Sequence, residues 1–426
     1  MKSHERKAPA CKAATSAVDL LERYGEVRER SERFSEALEP EDCVIQSMPD
    51  VSPTRWHLAH TTWFFETFVL SRSANGYRPF GARFEYLFNS YYNAIGDQYP
   101  RSRRGLLSRP TVREIREYRA HVDHSVGKLL RRGSADADLL EVIELGLNHE
   151  EQHLELMYTD IKHVLFQNPL LPAYRPGCRW QATDTQPLRW RECAEGLRWI
   201  GQEGDAFGFD NERPRHRVFL ERYSLADRLV TCGEYAAFIE EGGYRRPELW
   251  LSEGWERVRE RGWDAPLYWK WLDGQWSVFT LAGNRELQPG EPVCHVSYFE
   301  ADAFARWSGA RLPTEAEWEV VAEAEPVHGN LLEEDLLHPH GAVERQEQAA
   351  QLYGDTWEWT ATPYSRYPGY VPAEGALGEY NGKFMCNQYV LRGGSCVTPR
   401  SHIRATYRNF LPPDARWQFS GIRLAK

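Results

Sequence analysis

About the first 170 residues contain four segments with the apolar spacing and the end signals of α-helices. The second begins at Ser52-Pro53, where a capping residue precedes a proline suited to the first helical position. The third begins at Thr111, and Glu114 three residues later completes the pattern of a capping box. The fourth runs from about Asp136 to Phe166. Four such helices in succession predict a four-helix bundle.

The sequence changes character near residue 175. A stretch with prolines and a glycine at 170–180 is followed by short strand-like segments, dense tryptophan and many glycine turns. Capping boxes that begin at Thr231, Ser297 and Thr314 predict three short helices there. We therefore predict an α+β chain with a bundle over 1–175, a linker over 176–195 and a second, irregular domain over 196–426.

Composition and charge argue against several classes of protein. The formal net charge is −10, and the one basic block, at 101–104, is short for a nucleic-acid binder. No run of about 18 uncharged apolar residues exists, and the N-terminus is polar where a secretory signal is apolar. The eight cysteines are scattered without a CxxC pair, as expected for reduced thiols. We expect a cytoplasmic protein that acts on small molecules and binds neither nucleic acid nor membrane.

The sharpest local pattern is a pair of histidines, His149 and His153, in the fourth helical segment. Residues four apart on a helix lie about 40° apart around its axis, so both imidazoles can reach one metal ion. A pair alone fits a structural role equally well, and a metal site needs a third ligand. His57 and His60 in the second segment are candidates, because facing helices of a bundle assemble metal sites. Their spacing does not choose between them.

The run at 149–153 also matches the HExxH pattern of zinc peptidases. The extended form of that pattern needs glycine and histidine where this chain has Leu156 and Thr159, and no acidic third ligand follows in a helical context. We therefore set a peptidase aside. Three neutral histidines suit an octahedral Fe(II) ion that binds a thiolate and O2 together, and they also suit a tetrahedral zinc ion with one water. The ligand set alone does not identify the metal.

Five motifs in the second half of the chain resemble, in order, those of the sulfatase-modifying (formylglycine-generating) superfamily, whose domain has a C-type-lectin-like fold. They are DNERPRHRV at 210–218, RLPTEAEWE at 311–319, WEWT at 357–360, RGGS at 392–395 and GIRL at 421–424. In the copper oxidases of that superfamily two cysteines follow RGGS, but Thr398 and Ile403 stand at those positions here, with Cys396 nearby. The resemblance therefore implies a substrate-binding wall without copper. The sequence leaves open whether the run Asp210-Asn211-Glu212 binds a structural Ca2+ ion.

The first half resembles the DinB-like metal-binding bundle, and its fusion to such a domain resembles the sulfoxide synthases of ergothioneine biosynthesis. The family's motif in the second helix ends in Leu-Ala-His, which matches residues 58–60. This match implies that His60 joins His149 and His153 as the third ligand of Fe(II). The implied activity joins a thiol sulfur to the imidazole of N-α-trimethylhistidine with O2.

The resemblance also implies residues for binding trimethylhistidine. Gln152, inside the helix-four motif, faces this substrate by the same match. Asn409 and Phe410 match the segment that contacts the trimethylammonium group, a cation that favours aromatic faces.

The chain departs from part of the family at the sulfur donor. Members that use γ-glutamylcysteine carry an acidic residue after the Asn-aromatic pair to hold the donor's amine, whereas Leu411 follows here. We therefore expect free cysteine as the donor. Tyr91 and Tyr92, on the long loop between helices two and three, match the cysteine-using branch and imply a catalytic phenol. Arg101 and Arg104 on the same loop resemble the arginines of the family that hold the donor carboxylate, a role that suits a guanidinium fork.

Other activities remain open from the sequence. Within the same chemistry, the donor can be γ-glutamylcysteine or a selenium compound, or the product can be of the ovothiol type. A DinB-type thiol transferase would use zinc without O2. A non-catalytic protein would use the histidines to stabilise the bundle and the second domain to bind a partner.

Overall fold

The computed structural model describes residues 16–73, 76–177, 187–342 and 349–426. Its first half contains, in chain order, α1 (Ala17–Glu36), α2 (Thr54–Phe65), α3 (Ser71–Ser73), α4 (Phe84–Phe88), α5 (Val112–Arg131) and α6 (Ala137–Gln167). A π-helical turn over Glu66–Leu70 connects α2 to α3. Each of the four long helices, α1, α2, α5 and α6, packs against at least two of the others, which confirms the four-helix bundle.

Two of the bundle helices begin where the sequence predicts. Thr111 and Glu114 form the expected capping box at the start of α5. The Asp136 side chain caps α6 by accepting a hydrogen bond from the Leu139 N–H.

The predicted cap at Ser52 is wrong. Helix α2 starts at Thr54 and has no side-chain cap. The Ser52 N–H donates instead to Asp160 Oδ2, and its Oγ accepts a hydrogen bond from Arg104. A local capping signal has therefore been overridden by contacts between loop and helix.

The second half is the predicted mixture of short helices and strands. Its helices are α7 (Cys232–Glu240), α8 (Ser252–Arg261), α9 (Tyr298–Trp307) and α10 (Glu315–Ala322). The predicted capping boxes are present at α7, α9 and α10. The strands are β1 (Trp190–Cys193), β2 (Gly196–Ile200), β3 (His216–Leu220), β4 (Tyr223–Ala226), β5 (Trp269–Leu272), β6 (Gln275–Thr280), β7 (Gly283–Glu286), β8 (Trp357–Pro363), β9 (Tyr389–Arg392), β10 (Asn409–Leu411) and β11 (Ser420–Gly421).

These strands form small sheets. The largest has the order β10-β9-β8-β11, in which β8 and β11 are parallel and the other neighbours antiparallel. A three-stranded sheet has the order β5-β6-β7, and β1 pairs with β4 and β2 with β3. The α+β prediction is confirmed, with the helical half first and the strands confined to the second.

Helix α6 joins the two halves. Glu155 on α6 is buried and accepts hydrogen bonds from Trp357 Nε1, Ser395 Oγ and Thr398 Oγ1 of the second half. Apolar residues of both halves also belong to one continuous core. Because the bundle and the second half both pack against α6, even its charged residues between Glu150 and Lys162 are buried.

The predicted linker over 176–195 lies partly outside the described residues, which omit 178–186, so the boundary near 175 stays a prediction. Among the described cysteines, Cys43, Cys193, Cys232, Cys294, Cys386 and Cys396 are free thiols. None of the described helices has both the length and the apolar character needed to cross a membrane.

Candidate metal centre

Three buried imidazoles from two bundle helices converge at one point. His60 comes from α2, and His149 and His153 come from α6 one turn apart. One ring nitrogen from each lies within 4.8 Å of the other two, and the Nε2 atoms of His60 and His149 are 3.2 Å apart. This is the one group of three or more histidine, cysteine or acidic side chains with such spacing in the described ranges. Its all-nitrogen donor set fits a divalent transition metal.

The tautomer of His60 suits a ligand. Its Nδ1 is 2.6 Å from the carbonyl oxygen of Phe88, which can only accept a hydrogen bond. The proton therefore lies on Nδ1, and the lone pair of Nε2 faces the other two histidines. A hydrogen bond of this kind also fixes the ring orientation of a metal ligand.

His57, the alternative third ligand, lies behind His153. Its Nδ1 is 2.8 Å from His153 Nδ1, and its Nε2 is 2.9 Å from Asp160 Oδ2. The carboxylate can only accept, so a proton lies on His57 Nε2, and His57 Nδ1 can accept from His153 Nδ1–H. This series of hydrogen bonds leaves His153 Nε2 free to bind a metal. His60 thus belongs to the cluster, and His57 orients His153.

Burial keeps the three imidazoles neutral. Burial is the main cause that lowers the pKa of His149, to about 3. Burial and the neighbouring histidines lower the pKa values of His60 and His153 well below the ordinary value. Neutral imidazole is the form that binds metals.

Glu150 of the HExxH pattern does not face the metal site. Burial alone would raise its pKa, but Arg28 and Arg119 outweigh that effect and hold the pKa at about 2. Arg28 donates to one carboxylate oxygen at 2.7 Å, and Arg119 donates to the other at 3.0 Å. A carboxylate held in the bundle core by two arginines is unsuited to act as a peptidase base, which agrees with setting that alternative aside.

A cavity of about 400 Å³ lies beside the triad, between the bundle and the second domain. His153 forms part of its wall. Of the residues predicted to bind substrate or act in catalysis, the cavity is lined by Tyr91, Arg101, Arg104, Gln152, Asn409 and Phe410. Tyr92 is not among its lining residues.

The two arginines differ in their surroundings. Arg104 is buried, its guanidinium lies 3.3 Å from the ring centre of Trp56, and it donates to Ser52 Oγ and Ser90 Oγ. Arg101 is exposed at the cavity rim. A buried guanidinium held by hydroxyl groups is prepared for an anionic ligand, unlike a solvated basic turn.

The opposite wall comes mainly from the second domain. Gln152 on α6 donates a hydrogen bond to the Tyr407 hydroxyl group. Phe410 on β10 stacks on Tyr364 with ring centres 4.1 Å apart. Asn409 precedes it on the same strand. This wall offers aromatic faces and amide groups to a bound cation.

The rings of the two loop tyrosines lie side by side with centres 4.7 Å apart, but of the two only Tyr91 lines the cavity. The Tyr91 ring lies at the cavity, 5.4 Å from the ring centre of Phe384. The Tyr92 ring is fully buried in the bundle against Trp63 and Phe68. Burial raises the pKa of both phenols, so both stay protonated at neutral pH.

Sequence reasoning missed Tyr380. This residue lines the cavity and presents its ring edge-on to His149, with ring centres 5.7 Å apart. Burial raises its pKa well above the ordinary value. It stands in an irregular segment of the second domain, and no periodicity or motif singles it out there.

The two positions matched to the copper cysteines have structural roles. Thr398 Oγ1 donates to Glu155 Oε2 at 2.7 Å. Ile403 is buried in the core of the second domain.

The proposed calcium site gains no support. Asp210 accepts hydrogen bonds from Tyr370 and Asn381, at 2.9 and 2.6 Å. Glu212 pairs with Arg404 and accepts from Thr406. These donors use the carboxylate oxygens that a calcium ion would need.

Comparison with known families agrees with this division of the chain. The DinB superfamily matches residues 23–157, and the Sulfatase-modifying factor enzyme 1-like domain matches residues 193–331 and 335–426. The protein named hercynine oxygenase in Mycolicibacterium thermoresistibile is 33% identical over 88% of this chain and 88% of its own length. Those of the same name in Mycobacterium tuberculosis and Mycolicibacterium smegmatis are each 31% identical, over 96% and 95% of this chain and 99% and 98% of their own lengths. The chain therefore belongs to the hercynine oxygenase family.

Proposed function

We propose that this protein is an O2-dependent enzyme that joins the sulfur of cysteine to the imidazole C2 of N-α-trimethylhistidine (hercynine) and forms a sulfoxide, as in ergothioneine biosynthesis. The reaction consumes one O2, one C–H and one S–H bond, and it gives the C–S bond, the sulfoxide oxygen and one water. The observation that carries the proposal is the convergence of His60, His149 and His153 at the wall of a cavity with both cationic and aromatic surfaces.

Fe(II) is the metal that we propose for the three histidines. It would supply open coordination positions for a thiolate and O2, together with the ability to change oxidation state. His57 orients His153, and the Phe88 carbonyl orients His60, so the ligand set is arranged in advance.

The cavity residues bring the two organic substrates together. Arg104, with Arg101 at the rim, binds the carboxylate of the sulfur donor. Gln152, Asn409 and Phe410 hold trimethylhistidine against the opposite wall. Holding the sulfur and the imidazole carbon in contact removes much of the entropic barrier to forming the bond.

Tyr91 is the proposed proton donor. Its phenol lines the cavity and stays protonated at neutral pH, so it can donate a proton or hydrogen bond where oxygen is reduced. Tyr380 lines the same cavity near His149 and is the second phenol in position for this role.

Free cysteine is the proposed donor, because Leu411 lines the cavity where an acidic residue would hold the amine of γ-glutamylcysteine. The test is to load metal-free protein with Fe(II) or Zn(II) and incubate it with trimethylhistidine plus either thiol, in air and without O2. We expect the sulfoxide, measured by mass spectrometry, only with Fe(II), cysteine and air, together with O2 consumption.

The same experiment separates the alternatives. Product formed with Zn(II) in the absence of O2 would indicate a DinB-type thiol transferase. Faster turnover with γ-glutamylcysteine would change the donor but keep the reaction. Absence of product under every condition, with metal bound by wild type and by His60→Ala alike, would favour a non-catalytic protein.

A further inference from the structure

Asp160 on α6 presents a carboxylate oxygen that the described protein atoms do not satisfy. The side chain lines the cavity, and the residue is 4% exposed. Its Oδ2 accepts from the Ser52 N–H at 2.8 Å and faces His57 Nε2 at 2.9 Å. Its Oδ1 is buried and has no hydrogen-bond partner among the described residues. A buried acceptor of this kind is costly unless a ligand or water supplies a donor.

The other carboxylates that line the described part of the cavity are less suited to a ligand. Glu155 accepts from three donors of the second domain through its two oxygens. Asp50 is exposed at the rim, where its charge is well solvated. Asp160 is thus the buried anionic group that remains available.

The buried guanidinium of Arg104 lies near the Asp160 carboxylate and interacts with it electrostatically. No acidic side chain of the described residues is within ion-pair distance of Arg104. Ser52 links the two groups, because its Oγ accepts from Arg104 and its N–H donates to Asp160. One end of the cavity therefore offers a positive and a negative group side by side, which complements the carboxylate and ammonium of an α-amino acid.

We propose that Asp160 Oδ1 binds the ammonium group of the amino-acid sulfur donor while Arg104 binds its carboxylate. This assignment rests on the proposed function and deepens it by naming the group that selects the donor. Asp160 follows His153 by seven residues on α6, so both side chains lie on the same helix face and both open into the cavity.

The test uses Asp160→Asn. An asparagine whose oxygen takes the place of Oδ2 can still accept from Ser52 and His57, whereas the free acceptor becomes an NH2 donor. Iron(II)-loaded protein with trimethylhistidine is titrated without O2 by calorimetry, using L-cysteine and 3-mercaptopropionate, which lacks the amine. We expect wild type to bind cysteine at least tenfold more tightly than 3-mercaptopropionate, and Asp160→Asn to lose this preference while its affinity for 3-mercaptopropionate is kept.

Each alternative result has a separate meaning. A wild type that binds both thiols equally, or an Asp160→Asn variant that keeps the preference, overturns the assignment and leaves the proposed function intact. If Asp160→Asn instead loses affinity for trimethylhistidine, the Asp160 carboxylate binds the trimethylammonium group. That result also overturns the assignment. A wild type that binds neither thiol overturns the proposed function, and the assignment with it. The comparison of two thiols on wild type needs no variant to fold.

Discussion

The Nδ1 atom of His57 lies 2.8 Å from the Nδ1 atom of His153. This contact turns a histidine that sequence spacing left as a possible ligand into a group that orients a ligand. It also extends the metal site to Asp160, through the other nitrogen of His57.

Replacing His57 weakens metal binding without removing a ligand. His57→Phe keeps an aromatic ring of similar size but leaves His153 Nδ1 without its acceptor, and we expect a loss of about 10- to 100-fold in metal affinity. His57→Gln, whose amide can both accept and donate, restores part of the affinity. Competition with a chelator measures both. Equal affinity in wild type and His57→Phe would rule out the orienting role.

Removing His60 has a larger effect on metal content. His60→Ala leaves two imidazoles from one helix, and we expect the protein to lose stoichiometric metal after dialysis. His163→Ala is the matched control, because His163 is buried like His60 but lies outside the triad, on α6, and contacts Ser47 Oγ at 2.6 Å. Elemental analysis of both variants decides. Metal loss in His163→Ala but not in His60→Ala would show that the triad is not the metal site.

Glu150 is expected to stabilise the bundle. Glu150→Gln removes the buried carboxylate that Arg28 and Arg119 share, while Arg28 keeps its pair with Asp123 and Arg119 its longer pair with Glu32. We expect the free energy of unfolding to fall by about 3 kcal/mol at pH 7. Glu29→Gln, which breaks an exposed pair with Arg33, should cost about 0.5 kcal/mol or less. Urea denaturation of the metal-free proteins measures both.

The stability that Glu150 contributes through its arginines has a defined pH dependence. The folded pKa of Glu150 is held at about 2, below its ordinary value of 4.5. Its stabilising contribution is therefore complete above pH 4.5 and is lost as the pH falls toward 2. The difference in the free energy of unfolding between wild type and Glu150→Gln should decrease from pH 7 to pH 3. A constant difference would contradict the ion-pair explanation.

The two loop tyrosines should differ in catalysis. Tyr91→Phe removes the phenol that lines the cavity, and we expect at least a tenfold slower rate or a shift from sulfoxide toward cysteine sulfinate. Tyr92→Phe removes a hydroxyl group inside the bundle and should change neither. Steady-state rates and product ratios under air test this difference. Identical behaviour of Tyr91→Phe and wild type would transfer the role to Tyr380 or exclude a phenol donor.

Lys162 should make stability depend on alkaline pH. Burial lowers its pKa from 10.5 to about 8, and its Nζ lies 2.8 Å from His295 Nε2. Because the unfolded chain binds the proton more strongly, stability rises as the pH increases from about 8 to 10.5, by at most about 3 kcal/mol. Lys162→Met should flatten this rise relative to wild type in denaturation measured across that range. Parallel curves would argue against the lowered pKa.

Local sequence was enough to predict the four bundle helices, most of the caps and the α+β division, and its motifs were enough to predict the family. These features depend on local hydrogen bonds and on periodicity, which neighbouring residues specify. The cap at Ser52 failed because its groups are used by Arg104 and Asp160, residues distant in sequence.

The fold was needed to place His60 rather than His57 in the triad by geometry, to show which tyrosine lines the cavity, and to reveal Tyr380 beside His149. Adjacent residues such as Tyr91 and Tyr92 have the same chemistry, and only the packing of the loop gives one to the cavity and the other to the core. The free oxygen of Asp160 is likewise invisible in the sequence, because it depends on which donors the fold leaves out of reach.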